Sequence, residues 1–452
     1  MSISASTLCV HGNLGCKFFK QTILVSTKMN NDSIKSFFFS KELIFYLLIS
    51  IFFLYFFWFQ FAITPIPFFP ECLGLLLFGY VFVKATESGL YFNNLKYYYL
   101  FLLYVTATSL IVSPEYSISY LIKVYRYTVP MLAIIYFVNH DYNKFIRIQT
   151  VLLLTIAFLV FFYLFSNTHT LYDYTKSAER FLGEENPLNT NTFSSYILMA
   201  NFSAFALTLK SKKNIYMLLV VVFTCLSVYT QLLLASRRGI ISFMLFVLPS
   251  FYLIVLYKYK SKALLFGFVL LVLFSLFIAS QVLDWQNYNI FERFYMTGYE
   301  GDDLRYYFYV EAWRMFQDKF FLGYGLGGFT QRIGVYSHSL YAELISCLGI
   351  VGTIIFVVFI LFDNLVFLFK TIKNKLYTSG VNNPFNILLI LYLLNIICCG
   401  FFIVYFSDMF FYIILSIFYS YRNIISYSES NDSFESDALI SPLPELSSDT
   451  SH

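Results

Sequence analysis

The stretch SLYAELISCLGIVGTIIFVVFILF, residues 339–362, decides the fold class of this chain. It contains a single charged residue, Glu343, in a run longer than the roughly 20 apolar residues that carry a helix across a bilayer. Apolar runs of similar length recur from Leu43 almost to the C-terminus. The sequence therefore predicts an all-α protein that crosses a membrane many times.

The composition of the 452-residue chain points the same way. Hydrophobic residues make up 59% of it, aromatic residues 22% and charged residues only 12%, which is far more apolar than a soluble globular domain. The net charge is +4 and the basic residues are dispersed, so nucleic acid is not an expected partner. The seven cysteines form neither CxxC pairs nor clusters with histidine, so we expect no metal site, no disulfide framework and no cofactor.

Hydropathy divides the chain into about twelve predicted transmembrane helices. They lie near 43–63, 71–84, 97–113, 119–138, 148–167, 191–209, 214–235, 239–257, 262–281, 339–362, 385–406 and 408–420. Lysine and arginine fall in alternate connectors, and because these residues are enriched in cytoplasmic loops, both termini are predicted to be cytoplasmic. The longer connectors, 168–190 and 282–337, are then predicted to face outward.

Three segments follow from this arrangement. Residues 1–41 form an N-terminal cytoplasmic segment, and residues 42–423 form a transmembrane domain that includes both outer loops and would hold any catalytic site. Residues 424–452 form a cytoplasmic tail that is rich in serine and acidic residues and poor in aromatic residues. Such a composition is typical of disordered segments.

The longer outer loop contains two features before the chain re-enters the membrane. From Asp303 to about Phe320, apolar residues recur every three or four positions, which predicts an amphipathic helix at the outer membrane interface. The sequence GYGLGG, residues 323–328, then ends this helix. It lacks the context of a dinucleotide site and the GK[ST] of a phosphate-binding loop, so we interpret it as a turn that brings backbone close to a neighbour.

His338 marks the point at which the chain re-enters the membrane. On a continuous helix it shares one stripe with Ala342, Ile345, Gly349 and Gly352. The two glycines would let another helix approach closely beneath the imidazole. Two interpretations stand at this point: a reactive histidine, or an interfacial histidine above a packing seam.

Several arginines lie at the same predicted membrane face. Arg237 and Arg238 interrupt an apolar stretch, Arg305 opens the amphipathic helix, and Arg180 lies in the other outer loop. Because adjacent helical residues point about 100° apart, only one of the first two is expected to face a central cavity. A guanidinium can donate two parallel hydrogen bonds to diphosphate oxygens, so a histidine with several arginines suits transfer from a diphosphate leaving group. The other interpretation of each arginine is contact with a lipid headgroup or an acidic loop residue.

These residues occur in an order that resembles the O-antigen ligase and polymerase superfamily. The matching motifs are SRRG at 236–239, Arg305 with Trp313 after seven residues, FFLGYGLGGF at 320–329, and HS at 338–339 followed after nine residues by GIVG. The number of helices and the large outer loop before the histidine helix agree as well, so the likeness in layout covers most of the chain. The motifs themselves occupy only about 235–352, and Ser339 stands where many members have asparagine.

The resemblance implies a metal-independent, inverting glycan transfer at the periplasmic face of the bacterial inner membrane. Arg237 and Arg305 would bind the diphosphate of an undecaprenyl-diphosphate-linked glycan, with Arg238 and Arg180 as further contacts. His338 would activate the hydroxyl of a saccharide acceptor, either a growing chain or the lipid A core. Membrane lipid and a chain-length regulator are the other implied partners.

The sequence leaves three functions open. We favour an O-antigen or surface polysaccharide polymerase, because glycan gene clusters diversify such enzymes freely, and an O-antigen ligase follows closely. The distant alternative is a multi-pass transporter, which Lys123 and Arg126 in the fourth helix favour, although Arg126 would equally suit the path of the lipid diphosphate. Tyr341 is predicted to contact sugar or lipid. Glu343 points to another side of an ideal helix and is not paired with His338.

Overall fold

The structure, a computed structural model, describes residues 41–59, 69–89, 92–112, 114–166, 190–210, 214–233, 237–259, 301–373, 383–401 and 408–440. These residues form helices and the turns between them, with no strand among them, so the predicted all-α class is confirmed for this part of the chain. In chain order the elements are α1 (Lys41–Phe59), α2 (Phe69–Ser88), α3 (Phe92–Val112), α4 (Pro114–Val138), α5 (Tyr142–Ser166), α6 (Thr190–Lys210), α7 (Asn214–Leu233), α8 (Arg237–Ser242), π1 (Phe243–Val247), α9 (Leu248–Ile254), π2 (Val255–Tyr259), α10 (Gly301–Asp318), α11 (Gly328–Ile333), α12 (Leu340–Ile354), π3 (Ile355–Phe362), α13 (Asp363–Lys373), α14 (Asn383–Cys399) and α15 (Met409–Ile440).

The predicted apolar runs match these helices. Each run has a helical counterpart with bounds shifted by several residues, except 262–281, which lies outside the described residues. The opening stretch, 339–362, becomes the continuous series α12, π3 and α13. An apolar run of membrane-spanning length thus predicts a helix well and predicts its ends less well.

Five helical stretches among the described residues are long and apolar enough to cross a membrane. They are Asn94–Val112, Tyr116–Val138, Tyr142–Leu159, Leu340–Lys373 and Met409–Tyr427. Shorter apolar helices accompany them at Glu42–Tyr55, Ile215–Cys225, Phe243–Tyr257 and Pro384–Cys399. These helices indicate a membrane protein, whereas the twelve crossings, the outward loops and the position of the termini stay predictions.

Contacts divide the chain into two compact units, Met1–Ile51 and Phe52–His452. In the first unit, the described residues form the beginning of α1, and Phe45 and Ile49 are buried one helical turn apart. The second unit contains all the remaining helices and every residue discussed below.

Helix α6 lies inside the second unit. Every residue from Ser194 to Thr208 is buried, on all sides of the helix, and α5 and α7 pack against it. Its buried residues are apolar apart from five uncharged polar side chains, and a helix without a charged face is typically buried in this way. The ring of Tyr392 on α14 packs against both Phe202 of α6 and Phe246 of π1, at centroid distances of 4.6 and 4.8 Å. This contact fixes α14, whose C-terminal end borders the candidate site.

The C-terminal helix is longer than the sequence predicts. The predicted disordered tail begins at 424, whereas α15 continues to Ile440 and buries Ile424 and Ile425. Tyr427 stacks on His140 with ring centroids 4.2 Å apart. These apolar contacts stabilise the helix as far as Tyr427, beyond the predicted boundary. The serine and acidic residues that predicted disorder give no information about them. Residues 441–452 lie outside the described part.

Candidate active site

The predicted amphipathic helix of the outer loop is present as α10. Phe308, Ala312 and Met315 are buried where α10 packs against α12. Tyr306 and Trp313 are on the other side, with 71% and 52% of their surface exposed. The apolar spacing that predicted the helix therefore corresponds to a buried face of α10, and this face supports the segment that contains His338.

The glycine-rich turn after α10 approaches the backbone of α12. Gly323 and Gly325 have positive φ angles of 68° and 80°, a conformation that glycine adopts without steric cost. The amide of Tyr324 donates to the carbonyl of Ser346 at 3.0 Å, and the amide of Gly325 donates to that of Cys347 at 2.8 Å. The predicted close approach of backbone to a neighbour is confirmed.

Helix α12 is interrupted at the point where this turn meets it. Gly349 has φ 61° and ψ −166°, far from helical values. The amide of Ile350, which would donate to Ser346 in a regular helix, donates instead to the carbonyl of Phe320 at 2.8 Å. The hydroxyl of Tyr104 on α3 donates to the carbonyl of Leu348 at 2.6 Å. Backbone groups freed by the interruption are thus satisfied by the turn and by α3.

This interruption corrects the predicted glycine stripe. Gly349 faces the backbone of Phe321 and Gly323, so its neighbour is a turn and not a second helix. Gly352 does face another helix, through the ring of Tyr104. The stripe was drawn for a continuous helix, and a residue with φ 61° changes the direction of the chain.

His338 lies outside the helix on which the sequence places it. Helix α12 begins at Leu340, and Ser339 is its N-cap, with a hydroxyl that accepts from the amide of Ala342 at 3.4 Å. His338 has φ 59°, in the left-handed region. Its ring lies 3.9 Å from that of Tyr336 and 6.3 Å from that of Phe308, centroid to centroid. The imidazole is therefore positioned by a loop and by α10, because a helical stripe cannot extend past the N-cap.

Three elements with predicted site residues meet at the C-terminal end of α14. The amide of Leu340, two residues after His338, donates to the carbonyl of Gly400 at 2.8 Å. The hydroxyl of Tyr309 on α10 donates to the carbonyl of Phe401 at 2.9 Å. The hydroxyl of Ser242, which ends α8, lies 3.0 Å from the sulfur of Cys399. The structure thus brings the histidine loop, α10 and α8 to one end of the bundle, which the sequence could only infer from membrane orientation.

The helices that contain three of the predicted arginines are part of this arrangement. Arg237 and Arg238 open α8, and Arg305 precedes Phe308 by one turn of α10. The side chains of all three lie outside the described part of the structure, as does all of Arg180. Their proposed contacts with a diphosphate therefore stay predictions.

Two other predicted contact residues have protein partners. A guanidinium nitrogen of Arg126 on α4 lies 2.6 Å from a carboxylate oxygen of Glu71, at the beginning of α2. The hydroxyl of Tyr341 donates to the carbonyl of Ile397 at 2.7 Å, and its ring packs on Phe401 at a centroid distance of 4.6 Å. Arg126 and Tyr341 therefore also stabilise the fold, and their residue types alone did not indicate this.

Sequence reasoning missed two residues of this region. Glu343 is buried and accepts a hydrogen bond from the amide of Ser337 at 3.0 Å, so it contacts the loop of His338 although not the histidine itself. Tyr336, whose ring packs on His338, could not be selected from a chain with 39 tyrosines. The sequence feature that could have identified Glu343 is its position as a charged residue within an apolar run.

A polar cluster closes the turn between α10 and α11. The hydroxyl of Tyr324 donates to Asp318, and Arg332 donates to the same hydroxyl at 2.7 Å. The ammonium group of Lys319 lies 4.4 Å from the centre of the Tyr324 ring. Burial, followed by the hydrogen bond to Asp318, raises the pKa of Tyr324, so the phenol stays protonated. This cluster holds the glycine turn in place beside α12.

The described residues contain no group of three or more histidine, cysteine, aspartate and glutamate side chains that could hold a metal ion. The elements that meet at the end of α14 contain or adjoin one imidazole, several aromatic rings and the predicted arginines. An imidazole can accept a proton from a hydroxyl, and arginines can neutralise charge on a leaving group.

Comparison with known proteins agrees with this geometry. Residues 219–357 match the family model described as O-antigen ligase, Wzy_C. The match includes α8, α10, the glycine turn, His338 and the interrupted helix α12. A comparison with curated proteins gave no match. The predicted resemblance to the O-antigen ligase and polymerase superfamily, a group of membrane glycan transferases, is confirmed over residues 219–357.

Proposed function

We propose that the protein transfers a glycan from an undecaprenyl-diphosphate carrier to a saccharide hydroxyl, and that it acts as a surface polysaccharide polymerase. The reaction would take place at the periplasmic face of the bacterial inner membrane. One observation supports the proposal most strongly: α8, α10 and the first residue of α12, which follows the histidine loop, all contact residues 399–401. The family match over residues 219–357 supports the same class of reaction.

His338 is the proposed general base. Its imidazole accepts the proton of the acceptor hydroxyl while that oxygen bonds to the anomeric carbon of the donor sugar. The bond from this carbon to the diphosphate oxygen breaks, and the carrier diphosphate leaves with the electron pair. A single displacement of this kind inverts the anomeric centre. Neutral imidazole is abundant near neutral pH, which suits a base that acts on a sugar hydroxyl.

Arginines supply the positive charge in this proposal. Arg305 and Arg237 hold the departing diphosphate, with Arg238 and Arg180 as further contacts. Planar guanidinium groups bind diphosphate oxygens through paired hydrogen bonds and need no metal ion to do so. Arg126 is proposed to border the path of the lipid diphosphate, where it would have to exchange its present partner Glu71.

Gene deletion followed by gel analysis of surface polysaccharide tests the reaction. A polymerase predicts that the deletion strain carries single repeat units on the lipid A core. A ligase, the second candidate, predicts a bare core with carrier-linked polymer accumulating. The description of the matching family, O-antigen ligase, is the observation that favours this second candidate. An unchanged polysaccharide profile would contradict both candidates.

Complementation of the deletion strain tests the assigned residues. We expect His338→Ala and Arg305→Ala to abolish complementation at normal protein levels, because one removes the base and the other a diphosphate contact. His140→Ala is a matched control for the histidine. Arg314→Ala is a control on the same helix as Arg305, since Arg314 pairs with Glu311. Full complementation by either site variant would eliminate that residue's role.

A further inference from the structure

A buried carboxylate lies behind the histidine loop. Glu343, in the first turn of α12, is 3% exposed. Its Oε1 accepts from the amide of Ser337 at 3.0 Å, and its Oε2 accepts from the thiol of Cys347 at 3.2 Å. Burial of a carboxylate is costly, so a glutamate in a helix whose other buried residues are uncharged calls for a compensating contact or a role.

The residues on both sides of His338 are held in place. Ser337 is fixed through its amide by Glu343, and its hydroxyl donates to the carbonyl of Ser339 at 2.9 Å. On the other side, the amide of Leu340 donates to Gly400. His338 lies between these anchors with φ 59°, a conformation that a residue with a Cβ atom maintains only when its surroundings impose it.

We propose that Glu343 is a positioning residue for His338. Its carboxylate holds the amide of Ser337, and this bond keeps the next residue in the left-handed conformation that places the imidazole against Tyr336 and Phe308. The consequence for glycan transfer rests on the proposed role of His338 as the base. The effect on the position of the imidazole does not depend on that role.

Helix capping alone does not account for this contact. The N-cap of α12 is Ser339, whose own hydroxyl accepts from the amide of Ala342. Glu343 bonds instead to Ser337, which lies two residues before the N-cap and outside the helix. The bond therefore stabilises the loop that contains the histidine. It contributes little to the pairing of the first backbone amides of the helix, which have no acceptor within the helix.

Two substitutions separate the hydrogen bond from side-chain volume. Glu343→Gln keeps an amide oxygen that can accept from Ser337, whereas Glu343→Leu fills a similar space without an acceptor. Asp363→Leu is the stability control, because Asp363, the first residue of α13, pairs with Arg422 of α15 and lies outside the histidine loop. All variants are made in the full-length protein, purified in detergent.

The first readout is the rate at which diethyl pyrocarbonate modifies His338, measured by mass spectrometry of its peptide. We expect Glu343→Leu to raise this rate about threefold or more, because the released loop exposes the imidazole, and Glu343→Gln to leave it within about twofold. His140, measured in the same samples, is an internal reference. An unchanged His338 rate in Glu343→Leu would overturn the proposal, and so would an equal rise in Asp363→Leu.

The second readout is transfer kinetics with a carrier-linked glycan. We expect Glu343→Leu to lower kcat about tenfold with little change in KM, and Glu343→Gln to restore most of the rate, because misplacement of a catalytic group affects the chemical step more than binding. A purely structural role would lower the amount of folded protein and leave kcat per folded molecule unchanged, and this result would overturn the proposal. A change in His338 modification with full activity in His338→Ala would uphold the positioning role and refute the proposed base.

Discussion

At the residue scale, His338 combines an unusual backbone with a confined ring. Its φ of 59° is uncommon for residues other than glycine, although asparagine, aspartate and histidine adopt it more often than most. Residues held in such conformations cluster at functional sites, because the surrounding structure must compensate their cost. The sequence selected this histidine as a candidate, but it assigned the residue to a helix that begins two positions later.

Two substitutions of His338 distinguish its chemistry from its conformation. His338→Asn keeps a side chain that tolerates positive φ, so we expect an unchanged thermal midpoint with a transfer rate lower by about a hundredfold or more. His338→Ala should lose the same activity and also up to about 1–2 kcal/mol of stability, because alanine lacks the polar side chain that helps histidine and asparagine to adopt the left-handed region. Rate assays with purified protein and thermal unfolding measure the two effects. A fully active His338→Asn would show that backbone shape matters and the imidazole does not.

At the element scale, α12 acts as two helical pieces joined by a glycine. The turn after α10 inserts its amides where α12 is interrupted, and Tyr104 of α3 completes the hydrogen bonding. Irregular backbone in a membrane protein is tolerated where other parts of the protein satisfy its polar groups. The interruption therefore depends on the turn, and the turn connects directly to the helix that packs on His338.

Gly349→Ala tests this connection. Its φ and ψ fall in a region that only glycine occupies readily, and an added Cβ would contact the backbone of Phe321 and Gly323. We expect a loss of about 1–3 kcal/mol in the free energy of unfolding, measured with denaturant in detergent. Gly79→Ala on α2 is the matched control, because no atom lies within 4 Å of its added Cβ, and it should be neutral or up to about 1 kcal/mol more stable. Equal stability of the two variants would contradict the strained geometry of Gly349.

At the scale of the whole molecule, the candidate site lies at one end of the second unit. Residues 399–401, Leu340 and the glycine turn occupy this end together with Ser117, near the beginning of α4, whose hydroxyl donates to Leu326 at 2.8 Å. The basic connectors predict that this end faces the periplasm. A lipid-diphosphate donor and a surface glycan would then meet on the side where the polysaccharide is needed.

Topology reporters test this orientation in cells. We expect a dual alkaline phosphatase and fluorescent protein reporter inserted within 282–300 to give phosphatase activity, because that loop is predicted to be periplasmic. The same reporter within 374–382 is the matched control and should fluoresce, since this connector is predicted to be cytoplasmic. Fluorescence from the insertion at 282–300 would place His338 on the wrong side for the proposed reaction.

The sequence by itself determined the helical membrane class and the amphipathic helix, because bilayer thickness and helical periodicity leave a direct pattern in apolar residues. Its short motifs also indicated the resemblance to the O-antigen ligase family over residues 219–357. It also selected His338 through an ordered set of short motifs. Only the tertiary structure decided the break at Gly349, the bond from Ser337 to Glu343 and the meeting of three elements at residues 399–401. The physical reason is that these features depend on hydrogen bonds made outside regular helices, whether between distant segments or between a loop and the helix that follows it, whereas a periodic pattern describes one regular helix at a time.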